Sequence, residues 1–400
     1  MEANQLFEQA LGLGSGWKVI KSELDTANKQ LRLELDFERG SQFACPKCGE
    51  YCPVHDTRKK RWRHLDFWQH RTELSARVPR ICCEEHGVLQ VEVPWGRAGS
   101  GFTLMMEAMI LLLARQMSFQ AAAAQLGESD HRVFRVAEHY VEEAWRAADW
   151  SKVRRLLIDE VSTEKGHKYA TNFMDAEGKR LLFTTPGKDA DVVSTFAQEM
   201  KKHGADPQQI TEVVMDMSGA FIAGARREFP NARIVFDHFH LIKLAGEATD
   251  TVRKELNAEG VLLKNSMWAL RGNEWNLSEK QRALRSQCID AAPALGRALM
   301  LKSALQDVLA DGDPELLRWW TNWAQRSRLQ PFVRLARTIR KHWEGILAFM
   351  ETRLTNAAME AINGCIQLAK RIARGFRNFH YFRTVAFLRA GRLDLKVPTL

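Results

Sequence analysis

The sequence predicts an α/β core whose mixed sheet carries an all-helical insertion, with a small cysteine-bearing ribbon and a helix-turn-helix ahead of it. Three observations predict this. Between residues 151 and 244, strand-length apolar runs give way to helix and strand patterns in alternation. Five of the seven cysteines fall between Cys45 and Cys83. Residues 245–350, far more chain than a sheet crossover needs, are rich in helix formers.

A chain of 400 residues is too long for one ordinary core. The pattern divides it into N-terminal strands and ribbon (1–100), a helix-turn-helix region (101–150), the first part of the core (151–244), the helical insertion (245–350), and the last part of the core with basic helices (351–400). Hydrophobic residues make up 45%, enough to build cores, and no apolar stretch is long enough to span a bilayer. The longest candidate, 104–113, is interrupted by Glu107 and reads as a buried helix. Met1-Glu2-Ala3-Asn4-Gln5 lacks the basic start of a signal peptide, so a cytoplasmic protein with no membrane partner is expected. Net charge is +9, and residues 334–400, with 13 Lys and Arg against 4 Asp and Glu, carry an excess equal to that of the whole chain. Such a segment attracts polyanions by releasing their counterions.

Leu31-Arg32-Leu33-Glu34-Leu35-Asp36-Phe37 alternates apolar and polar residues, the mark of a strand. Cys45-Pro46-Lys47-Cys48-Gly49 and Cys83-Glu84-Glu85-His86-Gly87 follow. Clustered cysteines in a reducing compartment favour metal over disulfides. Two ligand pairs of this spacing suit one tetrahedral structural zinc on Cys45, Cys48, Cys83 and His86, and the glycines permit turns that point amides at the thiolates. Cys52, His55 and Cys82 compete for these positions. Between the pairs, 58–64 and 72–78 look like strands of a zinc ribbon. The first carries Arg58, Lys59, Lys60, Arg61 and Arg63 around Trp62, a basic flank suited to nucleic acid. Further on, Ser118 to Gly127 and Ser129 to Val136 read as two helices of a helix-turn-helix. Gly127 ends the first, Ser129 caps the second, and Val133 and Val136 face the core. Asp130, His131, Arg132 and Arg135 would then stand exposed at the start of a recognition helix. A plain helical hairpin has the same pattern.

From Arg155 the pattern becomes strands at 156–161, 168–174 and 180–185, the last two joined by the turn Asp175-Ala176-Glu177-Gly178. A helix (190–203), a strand closing at Asp216, a helix (219–229) and a strand closing at Asp237 follow. Three meandering strands, then helix and strand in alternation, is the order of a ribonuclease-H-like sheet. There the first and fourth strands lie side by side, which brings Asp159 and Asp216 together. Glu360 lies in a long helical pattern that runs into the basic tail. Two carboxylates on neighbouring strand ends and a third on a helix can hold two divalent cations about 4 Å apart and drive in-line attack on a phosphodiester. Hard oxygen ligands favour magnesium or manganese. Singly, an Asp at a strand end is also an ordinary turn or cap residue. Glu160 points to the opposite strand face.

In the insertion, Trp268, Trp275, Trp319, Trp320, Trp323 and Trp343 read mostly as core. Trp275, between Asn273 and Asn276, is the least core-like and the candidate for stacking on a base. After Glu360, Lys370, Arg371, Arg374 and Arg377 make one helix face cationic, with Gly375 ending the helix. Such a face positions DNA phosphates without reading sequence.

Over nearly its whole length the chain resembles a DDE transposase of the ISL-three insertion-sequence family. The resemblance rests on Cys45-Pro46-Lys47-Cys48-Gly49, Arg80-Ile81-Cys82-Cys83-Glu84-Glu85-His86-Gly87, Ile158-Asp159-Glu160-Val161-Ser162, Asp216-Met217-Ser218 and Asp237-His238-Phe239-His240-Leu241-Ile242-Lys243. The most distinctive segment is Arg371-Ile372-Ala373-Arg374-Gly375-Phe376-Arg377-Asn378-Phe379. It implies that Asp159, Asp216 and Glu360 form the metal-binding triad and that Asp237 and His240 lie close to the active site. It also implies a dimer or higher multimer that binds terminal inverted repeats, cleaves them and joins them to target DNA, at the nucleoid when bound. A helix-capping Asp with a satisfied His one turn later explains Asp237 and His240 equally well. Relatives often carry Gly where this chain has Ala357 and Ala361. Two other readings stay open: a zinc-ribbon DNA-binding regulator without catalysis, and a ribonuclease-H-like nuclease or resolvase.

Overall fold

The computed structural model describes residues 3–14, 16–164, 168–262, 266–272 and 276–397. The chain divides into two compact units, Met1–Ala144 with Asp394–Leu400, and Trp145–Leu393.

The first unit starts with α1 (Ala3–Leu11), followed by β1 (Trp17–Asp25), β2 (Gln30–Phe37), β3 (Gln42–Ala44), β4 (Tyr51–Arg63), β5 (Arg71–Cys83) and β6 (Gly87–Gln90). The strands form one sheet in the order β1-β2-β5-β4-β3, with β6 on β5. Alternation places Leu31, Leu33 and Leu35 of β2 and Leu74, Ala76 and Val78 of β5 inside. Trp17 and Trp62 close the core edge-on against Trp95, at 4.8 and 5.6 Å. Three helices complete the unit: α2 (Leu104–Gln116), α3 (Phe119–Leu126) and α4 (Asp130–Arg146). Thr103 and Ser118 cap α2 and α3, and Gly127 ends α3 in the left-handed conformation (φ 63°) that favours glycine. Glu107, which interrupts the apolar run of α2, is fully buried. It accepts from Arg97, Ser100 and Tyr140, the condition under which a charge is tolerated inside.

The second unit holds β7 (Arg155–Glu164), β8 (Lys168–Asp175), β9 (Arg180–Pro186), α5 (Asp191–Lys202), β10 (Glu212–Met215), α6 (Gly219–Glu228) and β11 (Arg233–Phe236). Its sheet order is β11-β10-β7-β8-β9. β7, β8 and β9 are an antiparallel meander, and β10 and β11 join parallel to β7. β10 reads Val213-Val214-Met215, buried throughout, as a strand covered on both faces must be. Among the described residues there follow the helices α7 (His238–Ala258), α8 (Met267–Arg271), α9 (Glu279–Ala291), α10 (Pro293–Asp311), α11 (Pro314–Arg326), α12 (Gln330–Lys341), α13 (Trp343–Thr352) and α14 (Ala357–Ile372). A last helix, α15 (Phe379–Ala390), ends the unit.

One expected boundary needs correction. No element boundary falls at residue 245, because α7 runs unbroken from the edge of the sheet. The described elements of the insertion are all helices, and much of it packs into the core of the sheet. Leu301, Leu305, Trp320, Phe332, Leu335 and Ile346 belong to the same core as the sheet, while Leu270, Cys288, Leu295 and Leu299 form a small cluster of their own. Of the tryptophans, Trp320 is buried, Trp323 and Trp343 are partly so, and Trp268 (67% exposed) and Trp319 (56%) lie outside the core. Trp275 and Asn273 lie outside the described residues. No helix among the described residues is long and apolar enough to cross a membrane.

Candidate active site and metal-binding clusters

Register brings the carboxylates together. Val214 of β10 lies beside Leu157 of β7, and Met215 beside Phe236 of β11. Continued along each strand, this register sets Asp216 and Asp237, just past the ends of β10 and β11, level with Asp159, which lies midway along β7 and not at its end as expected, because β7 runs on to Glu164 beside β8. The carboxyl ends of such strands are where open α/β sheets bind ligands. α14 crosses β7 there. Asn356 Nδ2 donates to the Ile158 carbonyl (3.4 Å), and Gln367 Nε2 and Lys370 Nζ both donate to that of Ser162 (2.8 Å each). Between them, Asn363 Nδ2 donates to Asp159 Oδ2 at 2.7 Å, and Asn172, opposite Asp159 on β8, donates to Asn363 Oδ1 at 2.7 Å. Glu360 precedes Asn363 by three residues and therefore shares its helix face.

The electrostatics of the cluster are those of crowded like charges. Burial raises the Asp159 carboxyl to about 7, and the charge of Asp216 adds to this against the opposing Glu160 amide and Asn363. Glu360 is also raised, by burial first and then by Asp237 and Asp216. His240 Nδ1 lies 3.3 Å from Asp216 Oδ2, and that hydrogen bond raises the imidazole. Asp237 is buried, caps α7 and faces the Phe239 amide at 3.5 Å. It serves as the helix cap and stands in the carboxylate row as well. Buried within the same frame, Asn172 Oδ1 and Asn356 Oδ1 have no hydrogen-bond partner. A set of hard oxygens under mutual repulsion, offset by one imidazole, has the donor chemistry of a divalent-cation site.

The sulfur cluster is tighter. Among the described residues it is the one group in which three or more metal-ligating atoms all lie within 4.8 Å of one another: Cys45, Cys48, Cys83 and His86. Cys48 and Cys83 Sγ are 3.6 Å apart, and His86 Nδ1 lies 3.9 and 3.6 Å from Cys45 and Cys83. Those edges fit a tetrahedron with metal–sulfur bonds of about 2.3 Å. The backbone amides of Cys48 and then Lys47 lower the Cys45 thiol to about 7. Gly49 and Gly87 take positive φ (79° and 68°) behind the two pairs. Of the competitors, Cys52 points its sulfur at the Glu50 carbonyl (3.6 Å), while Cys82 and His55 are exposed and outside the group.

A family model described as a transposase, of ISL3 type, matches residues 156–386, more than half of the chain and the whole carboxylate cluster. The chain belongs to the ISL3 transposase family. The model for the helix-turn-helix domain of that family matches 91–141, and one for the zinc finger of related transposases matches 41–86. The transposase of insertion sequence IS1001 from Bordetella parapertussis is 29% identical over 353 residues, spanning 84% of this chain and 86% of that protein. The IS1557 transposase of Mycobacterium tuberculosis is 29% identical over 369 residues, spanning 84% and 82%. This transposase therefore acts on insertion-sequence DNA and carries a zinc-ribbon domain, a DNA-binding helix-turn-helix and a DDE-type domain.

Not every cation named for DNA is free to reach it. In this transposase Arg58, Lys59 and Arg61 are exposed on β4, and Lys60 is half-buried. Arg63 is 5% exposed: it donates to the carbonyls of His64 and Thr72 and pairs with Asp66 and Glu128, so it is a structural residue. His131 and Arg135 are exposed on α4. Arg132 is engaged by Glu128 and stacks over Phe102 at 4.1 Å. Lys370 is spent on the end of β7. Arg371, Arg374 and Arg377 are exposed, but not on one helix face, because α14 ends at Ile372 and Arg374 and Gly375 turn left-handed (φ 56° and 103°). Asn172 and Asn363 were not foreseen from the sequence. The three-residue step from Glu360 was the one signal for Asn363.

Proposed function

We propose that this transposase cuts the ends of its insertion sequence and joins them to target DNA at the Asp159–Asp216–Glu360 site, on a ribonuclease-H-like core. The strand order, a three-stranded meander with two parallel strands added beside its first strand, supports that core. The observation that carries the reading is the Asn363–Asp159 hydrogen bond, which sets the helix of Glu360 over the strand of Asp159 across some two hundred residues of chain.

Asp159, Asp216 and Glu360 are the oxygen donors that would hold a pair of magnesium or manganese ions, whose contribution when bound is to activate the attacking hydroxyl and offset charge on the phosphodiester. Asn363 and Asn172 orient Asp159. His240 holds Asp216 through Nδ1 and, protonated, offsets one carboxylate charge. Arg371 and Arg374 steer the DNA backbone by charge. Cys45, Cys48, Cys83 and His86 hold a structural zinc. The exposed start of α4 enters DNA at the terminal repeats, and two or more protomers pair the ends.

Purified protein with labelled element ends and magnesium should nick the strand to a 3′-hydroxyl and transfer it to a second duplex. Asp216→Asn should bind the ends normally and lose both reactions by more than a thousandfold. Cleavage by that variant at wild-type rate would remove the assignment, and hydrolysis without joining would favour a nuclease.

A further inference from the structure

The seven-residue link between β4 and β5 (64–70) closes in a two-residue turn. Phe67 N donates to His70 O at 3.0 Å and His70 N to Phe67 O at 2.9 Å, which leaves Trp68 and Gln69 at the tip. Trp68 has φ 54°. Hairpins of this length place Gly, Asn or Asp in that left-handed position, and a bulky residue there is an outlier. The ring is nevertheless 81% exposed. It stacks on Phe67 with centroids 4.6 Å apart, and Phe67 rests edge-on against Phe7 at 5.6 Å. A glycine would suit the turn and a buried ring would suit the core; Trp68 does neither.

The tip is also fixed beside the helix-turn-helix. Arg71, the first residue of β5, donates to the Gly127 carbonyl at 2.9 Å and to Glu128 Oε1 at 2.7 Å. Gly127 and Glu128 form the turn between α3 and α4. Glu128 also holds Arg132 of α4 and lies 3.6 Å from the buried Arg63, which pairs with Asp66 at the base of the tip. This charged lattice sets the Trp68 ring at a defined place relative to the start of α4, on a unit whose exposed cations include Arg61 and Arg135.

We propose that Trp68 is a second DNA-contacting element, a wedge that packs into the minor groove next to the stretch of major groove entered by α4. The inference rests on the reading of α4 as DNA-contacting. A single ring on a narrow tip, held beside the turn that leads into α4, suits a groove, where apolar wedges pack against base steps. A stable interface with a second protein takes about 800 Å² per partner, which one ring on a two-residue tip does not offer.

The test is the affinity of the full-length, zinc-loaded protein for a duplex bearing the element's terminal inverted repeat. Wild-type binding tests the underlying reading by itself. Trp68→Gly should weaken binding at least tenfold with an unchanged salt slope, since no phosphate contact is removed. Arg135→Ala should reduce the slope by about one. Trp68→Phe should retain most of the affinity. The melting temperature of Trp68→Gly should equal or exceed that of the wild type, because glycine accepts the turn, which separates loss of contact from loss of fold. Binding by Trp68→Gly within twofold of wild type overturns the proposal. So does a loss of self-association without DNA, which would place a second copy of the chain on the tip.

Discussion

Two asparagines govern how Asp159 sits. Asn172 holds Asn363, and Asn363 holds the carboxylate, so Asn363→Ala should lower strand cleavage about 10- to 100-fold, as removal of an outer partner of a ligating carboxylate does, with end binding unchanged in a gel-shift assay. His64 gives a residue-scale effect on stability. Its Nδ1 lies 2.8 Å from Thr103 Oγ1, and burial pushes it from 6.5 down to about 4. The unfolded chain then binds the proton first, so stability is complete above pH 6.5 and falls toward pH 4, by about 3 kcal/mol. Urea titrations across that range should show the decline, and His64→Gln should flatten it. At this scale the acids were legible and their supports were not. An apolar run closing on Asp marks a strand, ending at Asp216 and Asp237 but running on past Asp159 to Glu164, whereas an Asn in a strand or helix carries no sign of which carboxylate it faces. Arg63 misled for a related reason. It belongs to a basic run, but the chain leaving β4 folds it beneath Asp66 and Glu128, and composition is blind to that.

Among the elements, α14 carries Glu360, the third carboxylate of the proposed site. Ala361 is exposed on it, so the methyl that stands where relatives often carry glycine meets only solvent and favours the helix. Ala361→Gly should cost about 1 kcal/mol, seen as a small fall in melting temperature, and leave cleavage intact. The helix is shorter than its charge pattern suggests, because spacing records where cations recur and is silent on the left-handed backbone at Arg374 that takes the chain out of the helix. The ribbon was easier to read. Paired ligands with a glycine behind each pair constrain the local turns, so spacing pointed to Cys45, Cys48, Cys83 and His86 but left Cys52, His55 and Cys82 in competition, and the first four are the group the structure draws together.

For the molecule as a whole, the division into two compact units makes metal removal a selective perturbation. Purified protein should contain one zinc per chain by elemental analysis. Calorimetry should show two transitions, and a chelator should lower or abolish only the one belonging to the ribbon unit, since a closed tetrahedral site contributes folding energy to its own domain. A single transition insensitive to chelation would contradict this. The meander-then-alternation of the second unit was legible because each strand and helix has its own period. The extent of the insertion was not, since helices that finish the core and helices that form a side cluster share one amphipathic pattern.

The cysteine ribbon and α4 are complete about two hundred residues before Glu360 is translated. At translation rates of about 5–20 residues per second that delay is roughly 10–40 s. On the roles proposed for α4 and Glu360, a nascent chain would carry its DNA-contacting helix before it carried the last carboxylate of its cutting site.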